Sequence, residues 1–160
     1  MKMAKPTLLV LMAVSIAAPA IVRNRWPVYG PWLVHQAVCL AQAIAPSQPI
    51  LVAGTTVFTA QTEMLISTDC SGALGVRTFS IIGAVVLLLN WRYAANFRFL
   101  LLYLGSEAIL WLYNLARLAF EIIYGEQQYG VSEIMVVVVA GLLALAAVRM
   151  ARSPGKLSGA

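Results

Sequence analysis

Long apolar runs separated by short polar stretches dominate the chain. Residues 6–22, 74–91, 99–124 and 133–150 are each near-continuous in apolar side chains. About 20 apolar helical residues cross the hydrocarbon core of a bilayer, so these four runs are predicted transmembrane helices. The first follows Lys2 and Lys5 and ends before Arg23. Its "APA" at 18–20 also fits a signal-peptide cleavage site, which leaves removal of residues 1–20 open.

The stretch from 23 to 73 has a different grain. Trp26, Pro27, Tyr29, Gly30, Pro31 and Trp32 form the kind of aromatic cluster that settles at a membrane–water interface. The run "LVHQAVCLAQAIA" stops before Pro46 and predicts a short interfacial or re-entrant helix. Residues 49–68 are rich in Thr, Val and Ile in rough alternation, which favours a small extended segment on the membrane surface before Cys70. Polar turns are expected at 92–98 and 125–132, and a disordered tail at 151–160.

Composition sharpens this picture. The 160 residues are 61% hydrophobic and 11% charged, against about 45–50% and about 25% in ordinary soluble domains. The fold class expected is therefore an all-α integral membrane protein. It has one domain over 1–150, with four transmembrane helices, an interfacial helix and the small extended segment.

The net charge of +5 comes from singly scattered Lys and Arg, not a basic stripe with interleaved aromatics. That argues against nucleic acid as a partner and for orientation by the positive-inside rule. Both termini and the loop holding Arg92 and Arg98 then lie on the cytoplasmic side of the inner membrane. The Cys70 region lies outside. Arg23 and Arg25 run against the trend.

Two cysteines and one histidine supply neither a disulfide framework nor a metal site. No cofactor motif is present in the sequence. Cys39, in an apolar helical stretch, reads as a small buried hydrophobe. Cys70 sits in "STDCSGALGVRTF", 67–79, a turn with Gly72 and Gly75 at the mouth of an apolar run. Glycines there let the backbone turn tightly and admit another chain close to the thiol. Ser71 is placed to cap the helix that follows, and Arg77 to snorkel at the interface or act electrostatically.

Charged side chains in a membrane helix face protein or water. At about 100° per residue, Glu107, Asn114, Arg117 and Glu121 share one face of the third run, and Arg117 and Glu121 form an i, i+4 pair. Such a stripe can pin helices together as a structural ion pair. It can also serve chemistry on the same membrane side as Cys70. A guanidinium beside a thiol favours the nucleophilic thiolate, and it can donate hydrogen bonds to a developing oxyanion.

In order and spacing, "DCSG" at 69–72 and "NLAR" at 114–117 resemble the exosortase/archaeosortase family. Its pattern has a Cys-Ser-Gly-like turn before a membrane helix, an Asn-x-x-Arg motif on a later helix, and then a histidine. The resemblance covers residues 48–150. It implies a membrane cysteine protease or transpeptidase that acts on exported proteins bearing a C-terminal sorting signal: a motif, a transmembrane helix and a basic cluster. On that reading Cys70 is the nucleophile and Arg117 stabilises the oxyanion. Asn114, Ser71, Gly72 and Glu121 support substrate and site. No histidine follows "NLAR", and the only one, His35, lies far upstream. Ser132 and Glu133 occupy the corresponding region, so Glu133 is the candidate acid–base group. An inactive family member that binds sorting signals, and an unrelated structural or transport membrane protein, are the alternatives.

Overall fold

The computed structural model describes residues 4–89 and 97–125, together with helical positions 137, 138, 141, 142, 145 and 149. Helix α1 spans Ala4–Ile16 and α2 spans Ala18–Ile44. They meet at Ala17 with a bend of 61°. Pro19 supplies the reason: it has no N–H for the carbonyl four residues earlier, so the helical ladder is interrupted there. Helix α2 then continues through Pro27 and Pro31, both exposed. The aromatic cluster, read as an interface belt ahead of a short helix, is therefore itself part of the long helix α2. Tyr29 packs against Trp32 at 5.7 Å, and Trp32 stacks on Trp111 at 5.8 Å between ring centroids.

After α2 the chain forms a three-stranded antiparallel sheet, β1 (Leu51–Ala53), β2 (Thr56–Phe58) and β3 (Glu63–Leu65), in the order β1-β2-β3. The first hairpin pairs Ala53 with Thr56 across Gly54 and Thr55. Gly54 takes φ +64, and glycine at the first central position suits the turn twist that antiparallel strands need. The second turn is closed by the Thr59 amide donating to the Thr62 carbonyl at 2.8 Å. The Thr59 hydroxyl accepts from the amides of Gln61 and Thr62. A 3₁₀ turn at Thr68–Ser71 leads into α3 (Ala73–Leu89), and α4 spans Phe97–Tyr124.

The expectation of an all-α protein with four transmembrane helices is overturned. The segment before Cys70 is a sheet. Among the described residues no single helix is long and apolar enough to cross a membrane. Helix α3 has 17 residues, about 25 Å at 1.5 Å per residue, short of the roughly 30 Å hydrocarbon core. Helix α4 is long but carries Arg98, Glu107, Arg117 and Glu121. The predicted first span is cut at Ala17, and only the bent pair Pro6–Ile16 with Ala18–Ile44 passes by length and composition together. The fourth predicted span, 133–150, and the tail at 151–160 fall almost wholly or wholly outside the described residues.

Two apolar clusters hold the fold. Leu33, Val34, Ala37, Val38 and Ala41 of α2 pack with Leu118, Ala119 and Ile122 of α4, and with Val57, Met64, Ile66 and Cys70. The spacing in α2 is the i, i+3, i+4 stripe of a helix that buries one face. Elsewhere, Leu8 and Met12 of α1, Phe79 of α3 and Tyr103 and Leu110 of α4 are buried, with Phe79 stacked on Tyr103 at 5.5 Å.

Candidate functional site

The sheet delivers the chain to Cys70. Ile66 is fully buried, and its amide donates to the Thr55 carbonyl at 2.9 Å, which ties the strand exit to the first hairpin. Ser67 then starts the 3₁₀ turn: its hydroxyl accepts from the Asp69 amide at 3.3 Å, and its carbonyl accepts from the Cys70 amide at 3.1 Å. The Ser67 Oγ also lies 3.8 Å from the Cys70 Sγ. Ser71, buried, accepts from the Ala73 amide at 3.2 Å and so caps α3.

Gly72 closes the turn in the left-handed region, φ +75. Its side of the backbone faces Asn114 so closely that a Cβ placed there would lie 2.7 Å from the Asn114 Cγ. Only glycine accommodates both the dihedral and the approach. That approach lets the Asn114 Nδ2 donate to the Cys70 carbonyl at 3.0 Å, across 44 residues of sequence. Asn114 in turn accepts from the Arg117 Nη2 at 3.3 Å. The Arg117 Nη1 pairs with the Glu121 Oε1 at 3.2 Å, the two side chains being 15% and 2% exposed. This forms a nearly dry chain of groups: Cys70 backbone, Asn114 amide, Arg117 guanidinium, Glu121 carboxylate. In surroundings of low dielectric each link strengthens, and each would be costly to break.

The predicted residues Cys70, Ser71, Gly72, Asn114, Arg117 and Glu121 thus converge. The fourth member of the predicted polar stripe does not join them. Glu107 accepts from the Ser80 Oγ at 3.3 Å, and Ser80 lies 2.7 Å from the Tyr103 hydroxyl, in the other cluster. The stripe divides because α4 spans both clusters and its two ends meet different partners. Arg77 is exposed on α3, and Glu133 lies outside the described residues. Cys39 is a correction: it is exposed, not buried. Counting 100° per residue from the buried positions 34, 38 and 41 places 35 and 39 on the outer side of α2, where the Cys39 Sγ lies 3.7 Å from the His35 Nε2. Ser67 was missed. Its spacing three residues before Cys70, ahead of Asp69, is that of a capping serine.

Cys70 itself is 5% exposed and belongs to the apolar cluster of α2 and α4. Among the described residues no group of three or more His, Cys, Asp and Glu is placed to hold a metal ion. The chain matches no protein-family model, no curated protein and no solved structure.

Proposed function

We propose that this protein is a thiol-dependent peptidase or transpeptidase of the exosortase type, with Cys70 as nucleophile and Arg117 as oxyanion donor. The observation that carries the reading is the Asn114–Cys70 hydrogen bond of 3.0 Å. It brings the two sequence motifs, far apart in the chain, into one network, with the Arg117 guanidinium bonded to the same asparagine.

In this reaction the Cys70 thiolate attacks a peptide carbonyl carbon of a C-terminal sorting signal. The C–N bond breaks, the departing nitrogen takes a proton, and a thioester remains on Cys70. An amine or water then attacks the thioester and returns the thiol. Arg117, its orientation fixed by Asn114 and Glu121, offers N–H donors to the oxygen that becomes negative. Glu133 carries the proton. Glycine at 72 lets Asn114 come close enough to hold the Cys70 carbonyl. The substrates are exported proteins, and the protein works at the membrane. The aromatic cluster of Trp26, Tyr29, Trp32 and Trp111 and the apolar side chains exposed on α1, α3 and α4 support that location.

A second reading has an observation of its own. The 5% exposure of Cys70 suits a small side chain that only fills the core, with Arg117 and Glu121 as a structural pair. Alkylation of Cys70 in Cys39→Ala protein separates the two. If Cys70 is a nucleophile held with Arg117, it reacts with a small alkylating agent under native conditions, and Arg117→Ala slows the reaction without unfolding the protein. A Cys70 that reacts only after denaturation is a packing residue.

A further inference from the structure

We propose that the free edge of β3 is the docking rail for the substrate, which binds as an extended peptide strand and is led by that strand to Cys70. This rests on the reading of Cys70 as the nucleophile and adds where and how its substrate is held.

The register decides which backbone groups are available. Strand β2 pairs with β3 so that Thr56 faces Leu65, Val57 faces Met64 and Phe58 faces Glu63. The Thr59 amide donates to the Thr62 carbonyl and the Ile66 amide to the Thr55 carbonyl. Those two bonds mark 59/62 and 55/66 as hydrogen-bonded pairs, and Val57/Met64, midway, is a third. In an antiparallel ladder hydrogen-bonded and non-bonded pairs alternate. The N–H and C=O groups of Glu63 and Leu65 therefore point away from β2, towards the outer edge.

Among the described residues β3 is an edge strand, paired on one side only. The other edge, β1, is poorer. By the same alternation Leu51 and Ala53 bond to β2, so β1 presents only Val52 outwards, and the chain before it carries Pro49. An exposed edge with a row of unpaired groups is a template for an added strand. Here the row runs into the site. Leu65 is followed by buried Ile66, by Ser67, and then by the turn holding Cys70.

Side chains give the added strand a preference. Glu63 and Leu65 are exposed and point to one face, while Met64 points to the other and is buried. Residues directly opposite in an antiparallel pair lie close enough to interact. A peptide residue opposite Glu63 is therefore favoured when basic, and one opposite Leu65 when apolar. In the antiparallel sense the preferred substrate reads apolar, any residue, basic, from N- to C-terminus.

The test measures binding of a fluorescein-labelled Thr-Leu-Thr-Lys-Thr peptide by anisotropy, using full-length Cys70→Ala protein so that no turnover intervenes. N-methylation at the Leu and Lys of the peptide removes the two donors that face β3. It is expected to weaken binding about tenfold, the loss of one or two backbone hydrogen bonds. N-methylation at the central Thr, whose N–H faces outwards, is expected to leave binding unchanged. Glu63→Lys is expected to weaken the Lys peptide and favour its Glu counterpart. Leu65→Pro, which removes an N–H that β2 does not use, is expected to mimic the peptide methylation, and Val52→Pro on β1 is not. Equal loss from all three methylations, or indifference to both methylation and the Glu63 charge, would overturn the proposal. The two readings fail separately. Edge-dependent binding without a thioester in wild-type protein removes the catalytic reading alone. A thioester that forms at the same KM in Glu63→Lys and Leu65→Pro removes the docking rail alone.

Discussion

Gly72→Ala is the most informative single substitution, because one methyl group meets two independent obstacles. The residue has φ +75, and a side chain in the left-handed region costs about 1–2 kcal/mol. The added Cβ would also sit 2.7 Å from the Asn114 Cγ and 3.0 Å from its Nδ2. Asn114 is on a helix, is buried, and is held by Cys70 and Arg117, so it has little freedom to yield. Overpacking of this kind costs typically about 1–3 kcal/mol. Together the two effects predict a loss of roughly 2–5 kcal/mol, read by equilibrium denaturation of purified protein in one fixed detergent. The steric part has a signature that the dihedral part lacks. In an Asn114→Ala background the Cγ and Nδ2 are gone and only the Cβ, 3.0 Å from the added methyl, remains, so Gly72→Ala should cost about 1 kcal/mol less there than in wild type. A loss under about 0.5 kcal/mol, the range of an unremarkable surface substitution, would refute the close approach. So would equal losses in the two backgrounds, since the Gly72–Asn114 contact would then carry no energy.

Arg117→Ala should destabilise the fold by roughly 3–5 kcal/mol, because it leaves the Glu121 carboxylate, 2% exposed, without its guanidinium. Adding Glu121→Gln should restore much of that loss in the same denaturation assay. Asn114→Ala strips the Cys70 carbonyl of a buried donor and should cost about 1–3 kcal/mol. Thiol labelling of the native protein, followed by peptide mapping, should modify exposed Cys39 faster than buried Cys70, and Cys39→Ala should remove the fast phase.

Much of the candidate site was legible in the sequence, because its signals are local. A glycine-rich turn around Cys70 and an Asn-x-x-Arg spacing survive any packing arrangement, and helical angles alone place Asn114, Arg117 and Glu121 on one face. What they touch is not local. Glu107 shares that face yet accepts from Ser80, which also meets Tyr103, because the two ends of α4 face different partners. Membrane spans were the weakest reading. Apolar composition says that a helix is buried or meets lipid, and it does not say where the helix breaks. Pro19 stops the first run at Ala17, whereas Pro27 and Pro31 leave α2 helical. Both facts depend on how the neighbouring turns recover their hydrogen bonds. The strands fared better in kind than in number: Thr, Val and Ile pointed to extended backbone, and Gly54 marked the hairpin, but the second turn is built by the Thr59 hydroxyl and has no comparable sequence mark.

The most direct test of the central claim is intact-mass analysis of the full-length protein after incubation with a peptide substrate carrying a sorting signal and its hydrophobic tail. The account predicts a hydroxylamine-labile acyl adduct on Cys70, equal in mass to the N-terminal part of the substrate. The adduct should be absent in Cys70→Ala and slower to form in Arg117→Ala. Folded wild-type protein that binds the substrate and never acquires the adduct would contradict it.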